Sequence, residues 1–347
     1  MYIRSFTKVI DEAIYTVRNK IGELLVCKLL GGLIMAGAGI AAFILLIISI
    51  AVSAVSIMPR YSGYSYDEIS AQPGFIIGIV ISIAIIAILL GAVSYVSSGA
   101  VMLVTYHAGR GEKMNGTSAI GKSFSRFFAY LGYVTLQLLT LIPVIIIIVL
   151  LIAMLGGGLT EAFNNTFSMM DFEDRPIQML LIILGIWLVV VIVSTVIALM
   201  YQTLFLYGLP AIVIEKLGPI AAYKKNLSYI RGEFWATLRK IFLYQMGVIG
   251  INISLNAVVS IIFALIIILQ TSFGNVDETA LATSFVYIEY LIRIGYSIIT
   301  GCFIPSIIVK LYESQRCKLE GQDIRERLVA LKQVQLKEMQ ISEGSSE

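Results

Sequence analysis

Six apolar stretches, residues 29–57, 75–106, 127–155, 177–209, 241–270 and 281–309, divide this chain, and each is longer than a soluble helix ordinarily needs. About 20 helical residues cross a hydrocarbon layer about 30 Å thick, so each stretch is long enough to span a membrane. The cations between them set an orientation. With both chain ends on one side, 22 of the 25 Lys+Arg fall there, only Arg60 and Arg175 fall opposite, and Arg293 lies inside the last stretch. Asp+Glu divides 13 to 8 between the same sides, with Glu289 inside the last stretch, which leaves balances near +9 and −6. Excess Lys and Arg marks the cytoplasmic side. The expected fold is an all-α membrane protein of six transmembrane helices with both termini cytoplasmic. Residues 1–28 form an amphipathic arm, 29–309 the membrane domain and 310–347 a helical tail.

At 58% hydrophobic and 14% charged residues, with a mean hydropathy of +0.90, most apolar surface must meet lipid or other spans. No stretch between spans is long enough for a separate soluble domain. The net charge of +3 hides its sidedness, which argues against a nucleic-acid partner and for anionic membrane lipids. Cys27, Cys302 and Cys317 stand singly and suggest neither a disulfide framework nor a zinc site, and no cofactor is expected. Residues 1–28 carry acids and arginines and lack the short apolar stretch and small-residue cleavage site of a secretory signal, so the amino terminus is expected to be retained.

A basic amphipathic stretch precedes the first, third and fifth spans. Phe6, Val9, Ile10, Ala13, Ile14 and Val17 recur at helical spacing against Lys8, Asp11, Glu12 and Arg18. Phe124, Phe127, Phe128 and Leu131 do so against Lys122, Ser125 and Arg126, and Ile220, Tyr223, Leu227, Ile230 and Phe234 against Lys224, Lys225, Asn226, Ser228 and Arg231. Ala13, Ala119 and Ala222 then stand 106 and 103 residues apart, which suggests three parallel two-span repeats around an axis along the membrane normal. The three stretches are expected to form a collar in the inner interface, with Lys122, Arg126, Lys224, Lys225 and Arg231 toward headgroups. A plain anchor at the start of each span is the simpler role.

Polar residues inside the spans offer two readings. Glu289 and Arg293, four apart, share a helical face and suit a self-neutralised pair; alternatively, Arg293 presents its charge to an anionic headgroup or solute. Gln245, Asn252, Asn256 and Ser260 form a stripe along the fifth span, which Gln202 and Thr203 of the fourth and Gln137 and Thr140 of the third are placed to meet. Such amides join helices by hydrogen bonds of about 0.6–2 kcal/mol each. Gly31, Gly32, Gly37, Gly39, Gly91, Ser97 and Gly99 allow close approach of the first two spans, and Pro143 and Pro305 should kink the third and sixth.

Two stretches carry a resemblance. Residues 210–234 read PAIVIEKLGPIAAYKKNLSYIRGEF and residues 310–324 read KLYESQRCKLEGQDI. Together, through Pro210, Glu215, Gly218, Arg231, Gly232, Arg316, Glu320, Gly321 and Asp323, they resemble the six-span family named for the membrane domain of bacterial glycerophosphodiester phosphodiesterases and its stand-alone bacterial and archaeal relatives. The resemblance implies a membrane domain of a prokaryotic cytoplasmic membrane and no catalysis, because the soluble barrel that carries that chemistry is missing. His107, the only histidine, rules out a two-histidine acid–base pair. The leading expectation is therefore a non-enzymatic scaffold or lipid-associated module, with a membrane-protein partner or a second copy left open. A transporter or flippase-like protein for an amphiphilic or anionic substrate is the alternative, with Arg293, Glu289, Asn252, Asn256, Gln245 and Gln202 as contacts.

Overall fold

The computed structural model describes residues 6–57, 73–146, 176–273 and 278–321; among them every element is a helix. In chain order these are α1 Phe6–Asn19, α2 Ile21–Ile57, α3 Pro73–Gly109, α4 Gly116–Phe124 and α5 Phe127–Ile146. Then follow α6 Pro176–Phe205, α7 Gly208–Ile214, α8 Pro219–Ile230, α9 Phe234–Phe273 and α10 Glu278–Glu320. Six helical segments are long and apolar enough to cross a membrane, as the sequence predicts: α2, α3, α5, α6 continued by α7, α9 and α10. The protein is an all-α, multi-pass membrane protein.

The helices overrun the apolar stretches. At 1.5 Å per residue the 43 residues of α10 extend about 65 Å, roughly twice the hydrocarbon thickness. No break separates the sixth span from the expected tail at residue 310, and both Pro143 and Pro305 lie within continuous helix. Residues 322–347, including Asp323, lie outside the described residues, as do the connections 58–72, 147–175 and 274–277.

The core sits at the cation-rich end of the bundle. Its fully buried side chains include Val9, Leu24, Met102, Tyr130, Tyr133, Tyr207, Ile212 and Tyr312, drawn from α1, α2, α3, α5, the α6–α7 corner, α7 and α10. Farther along the spans, toward the opposite end, large apolar side chains such as Ile47, Ile81, Leu188, Ile253 and Leu291 are exposed. Lipid is the solvent that such surface suits.

Close approach depends on a few small residues. A methyl group on Gly31 would run into Ser97, and one on Gly99 would lie 2.6 Å from the Ser123 and Tyr130 hydroxyls. Gly32, Gly37 and Gly39 meet nothing, so Gly31 alone of these glycines of the first span sets the α2–α3 crossing.

The amphipathic stretches divide their apolar residues between the protein interior and the outside. Ala13, Ala119 and Ala222 are each fully buried, and Val9, Val17, Ile120, Tyr229 and Ile230 are buried with them. Other large ones face out: Ile14, Phe124, Phe128, Ile220 and, at the start of α9, Trp235 are exposed. Alanine faces the neighbouring helices because it lets backbones approach.

Candidate functional site at the cation-rich end

The fourth span breaks one turn before Pro210. A proline inside a helix lacks the N–H for the carbonyl four residues back and its ring collides with that carbonyl, here Leu206. Helix α6 accordingly stops at Phe205 and α7 begins at Gly208. Three orphaned backbone groups at this corner find side chains. The Tyr133 hydroxyl donates to the Phe205 carbonyl at 2.9 Å, the Asn226 amide NH2 donates to the Leu204 carbonyl, and the Tyr207 N–H donates to Asn226 Oδ1 at 2.7 Å. Gly208 admits the Tyr133 ring, which any Cβ there would strike. Asn226, expected on the solvent face of its helix, is instead fully buried and staples the corner. Its polarity is directed at broken backbone rather than at headgroups.

The corner aims α7 so that its C-cap, Glu215, meets α8 and α10. Glu215 accepts from the Tyr312 hydroxyl and from Lys225 Nζ, each at 2.5 Å, and lies 3.3 Å from Arg316 Nε. Glu320 accepts from Lys225 at 2.7 Å, Tyr229 at 2.6 Å and Arg316 at 3.0 Å. Glu233, at the α8–α9 turn, accepts from Gln315 at 3.0 Å and pairs with Lys318. Burial first, and then the Glu320 and Glu215 carboxylates, push the Tyr229 phenol up, so its hydroxyl is held as a donor. Three carboxylates face three cations, and the cluster is self-neutralised.

Both motif stretches thus converge: Pro210 sets the break, Gly218 is the N-cap of α8, and Glu215 and Glu320 both pair with Arg316. Gly321 follows α10 at φ +59, a left-handed conformation that suits glycine at a helix end. Lys216 holds the same conformation at φ 60 without being glycine, which costs about 1 kcal/mol. Gly232 lies exposed between α8 and α9. Sequence reading missed Tyr229, Glu233, Tyr312, Gln315 and Lys318 as members. The signal was present: Tyr312, Gln315, Arg316 and Glu320 fall at helical spacing on one face of the stretch expected to be a helical tail.

Of the residues expected to face headgroups, Lys122, Lys224 and Arg231 are exposed and Arg126 half-buried, whereas Lys225 is absorbed by Glu215 and Glu320. The polar stripe of the fifth span is met only in part. Gln245 donates to Gln202 at 3.1 Å, while Gln137 accepts from Tyr95 at 2.7 Å through its side chain and from Tyr201 at 2.6 Å through its carbonyl. Asn252 is half-buried and Asn256 exposed. Arg293 Nε donates to Glu289 at 2.8 Å, with the Arg293 side chain 61% exposed, so the pair is formed and turned away from the neighbouring spans.

Among the described residues, two of the cavities lie at the cation-rich end. The larger, about 800 Å³, lies among α1, the end of α3 and the inner part of α10, and Tyr312 and Arg316 belong both to it and to the ion-pair cluster. The smaller, about 430 Å³, lies beside Arg231, Trp235, Lys240 and Lys318. Neither is lined by Arg293, Asn252 or Gln202, the contacts a transport route was expected to share.

Comparison with family models, with curated proteins and with solved structures finds no match to this chain.

Proposed function

We propose that this chain is a non-enzymatic scaffold or lipid-associated module of a prokaryotic cytoplasmic membrane, with its cation-rich end against anionic headgroups. The observation that carries the reading is that exposed large apolar side chains stand beside exposed or half-buried cations where the chain enters the third and fifth spans. Phe124 and Phe128 stand beside Lys122 and Arg126, and Ile220 and Trp235 beside Lys224 and Arg231. Aromatic rings favour the level of the headgroups, and cations gain about 1 kcal/mol each near an anionic surface. The ion-pair cluster supports a structural rather than catalytic role, because each of its three carboxylates is held by at least two donors.

The test uses the full chain in nanodiscs that mix phosphatidylcholine with an anionic phospholipid, reading the enrichment of anionic lipid around the protein by native mass spectrometry. Wild type is expected to enrich it at low salt and to lose the enrichment toward 1 M salt, where screening shortens to about 3 Å. Replacing Lys122, Arg126, Lys224 and Arg231 with Gln should abolish it. Equal enrichment in wild type and variant refutes the collar.

A further inference from the structure

The cavity of about 430 Å³ beside the α8–α9 turn has walls whose charges do not close on themselves. Its one carboxylate, Glu233, is already used on both oxygens, one paired with Lys318 and the other accepting from Gln315 at 3.0 Å. Arg231 and Lys240 remain, and neither side chain has a hydrogen-bond or ion-pair partner among the described residues. Along the chain no acid follows Glu233 before Asp277, so α9 brings no carboxylate of its own, and Arg239, exposed next to Lys240, adds further positive charge. The neighbouring ion-pair cluster is self-neutralised; this wall is not.

Lys240 is half-buried. A charge partly withdrawn from water without an acceptor is unfavourable, so an anion in the cavity gains both from attraction and from relieving that cost. Arg231 reaches the cavity from the turn and Lys240 from the second turn of α9, and a guanidinium presents paired donors that suit phosphate oxygens. The volume falls in the range of small-molecule sites.

The surroundings fit a lipid rather than a soluble anion. Trp235, also in the wall, is exposed and stands edge-on to Phe234 with ring centroids 5.6 Å apart. Tryptophan favours the level of the headgroups. Phe242, Met246, Ile249 and Ile253 follow Trp235 at intervals of 7, 4, 3 and 4, which keeps them on one face of α9, and all four are exposed. That face leads from the cavity into the span and offers an acyl chain an apolar track.

We propose that the cavity between the α8–α9 turn and the inner end of α10 binds one anionic phospholipid, its phosphodiester held by Arg231 and Lys240 and an acyl chain laid along α9 from Trp235. The site rests on the collar reading, which puts this end among headgroups, but differs from it in being saturable: one molecule seated in one cavity rather than a surface attraction.

The experiment titrates the full chain, purified in a non-ionic detergent, with phosphatidylglycerol or phosphatidylcholine. Native mass spectrometry resolves the successive lipid-bound states in dilute and in 1 M ammonium acetate. The first phosphatidylglycerol is expected to half-saturate at a concentration about tenfold or more below phosphatidylcholine, and to persist at high salt because partly buried charges are screened less than exposed ones. R231Q/K240Q should raise that concentration about tenfold or more. K122Q/R126Q/K224Q, whose cations lie outside the cavity, should keep the first molecule and lose the later, salt-sensitive ones. The collar is read from those later molecules and the site from the first, so either can fail while the other stands. No preference for phosphatidylglycerol in the first molecule, or the same first affinity in R231Q/K240Q as in wild type, overturns the site. Lipid-free protein that binds inorganic phosphate as tightly as the first phosphatidylglycerol overturns the lipid in favour of a soluble anion. Should R231Q/K240Q fold poorly, Gly232→Asp puts a carboxylate into the wall at a position whose Cβ meets nothing within 4 Å, and undiminished binding of the first lipid there overturns the site equally.

Discussion

Replacing Asn226 with Leu keeps nearly the same volume but removes both hydrogen bonds that close the α6–α7 corner. The residue is fully buried, accepting from the Tyr207 N–H at 2.7 Å and donating to the Leu204 carbonyl. Each buried backbone group left without a partner costs about 1–3 kcal/mol, and side-chain hydrogen bonds measured within membranes lie nearer 0.6–2 kcal/mol. Two groups lost together put the expected destabilisation at about 2–4 kcal/mol. At about 2–4 °C per kcal/mol for a chain of this size, Tm in detergent should fall by about 4–16 °C. Asn226→Asp separates the two bonds. Its carbonyl-like oxygen still accepts from Tyr207, but an ionised carboxylate faces the Leu204 carbonyl with no proton to give. Burial raises the carboxyl pKa in the folded state above its unfolded value of about 3.9. The neutral form is then favoured by folding, so the Asp variant should be most stable near pH 4 and lose stability as pH rises toward neutrality. Thermal unfolding of wild type and both variants across that range checks this. An Asn226→Leu variant within about 0.5 kcal/mol of wild type, or an Asp variant whose deficit does not change with pH, would show that the corner does not depend on this side chain.

Lys225→Met should cost about 2–4 kcal/mol because it leaves Glu215 and Glu320 each short of a partner, and adding Glu320→Gln should recover part of that loss, read by thermal unfolding. Gly208→Ala should destabilise by about 1–3 kcal/mol as its methyl meets the Tyr133 ring, while Gly37→Ala, with open space around it, should not, by the same measurement. Glu289→Gln should destabilise the reconstituted protein in a bilayer, and Glu289→Gln with Arg293→Leu should restore it, since the pair is formed at 2.8 Å; a double variant no better than the single argues against simple neutralisation. In a background without native cysteines, Cys at Ser62, Gly157 or Asn275 should react with an impermeant thiol reagent from outside intact cells, and Cys at Thr117 or Ser228 should not.

Length and apolarity by themselves determined the six spans, because a helix in lipid satisfies its own backbone and needs only enough apolar residues to cross. The Glu289–Arg293 pair was equally legible, since spacing of four on one helix brings the groups together without help from the rest of the fold. The tertiary structure alone decided which face of each amphipathic helix is buried. Periodicity grouped Asn226 with Lys225 and Arg231, yet the broken span beside it supplied a backbone donor and acceptor that only a short amide could serve. It likewise decided that Lys225 faces carboxylates rather than headgroups, and that Lys310 lies buried against Gly109, which is 201 residues away in sequence. Local pattern reports the period of a helix but not the neighbour it meets. Where a polar residue answers a group on a distant segment, its role exists only once packing has brought the two together.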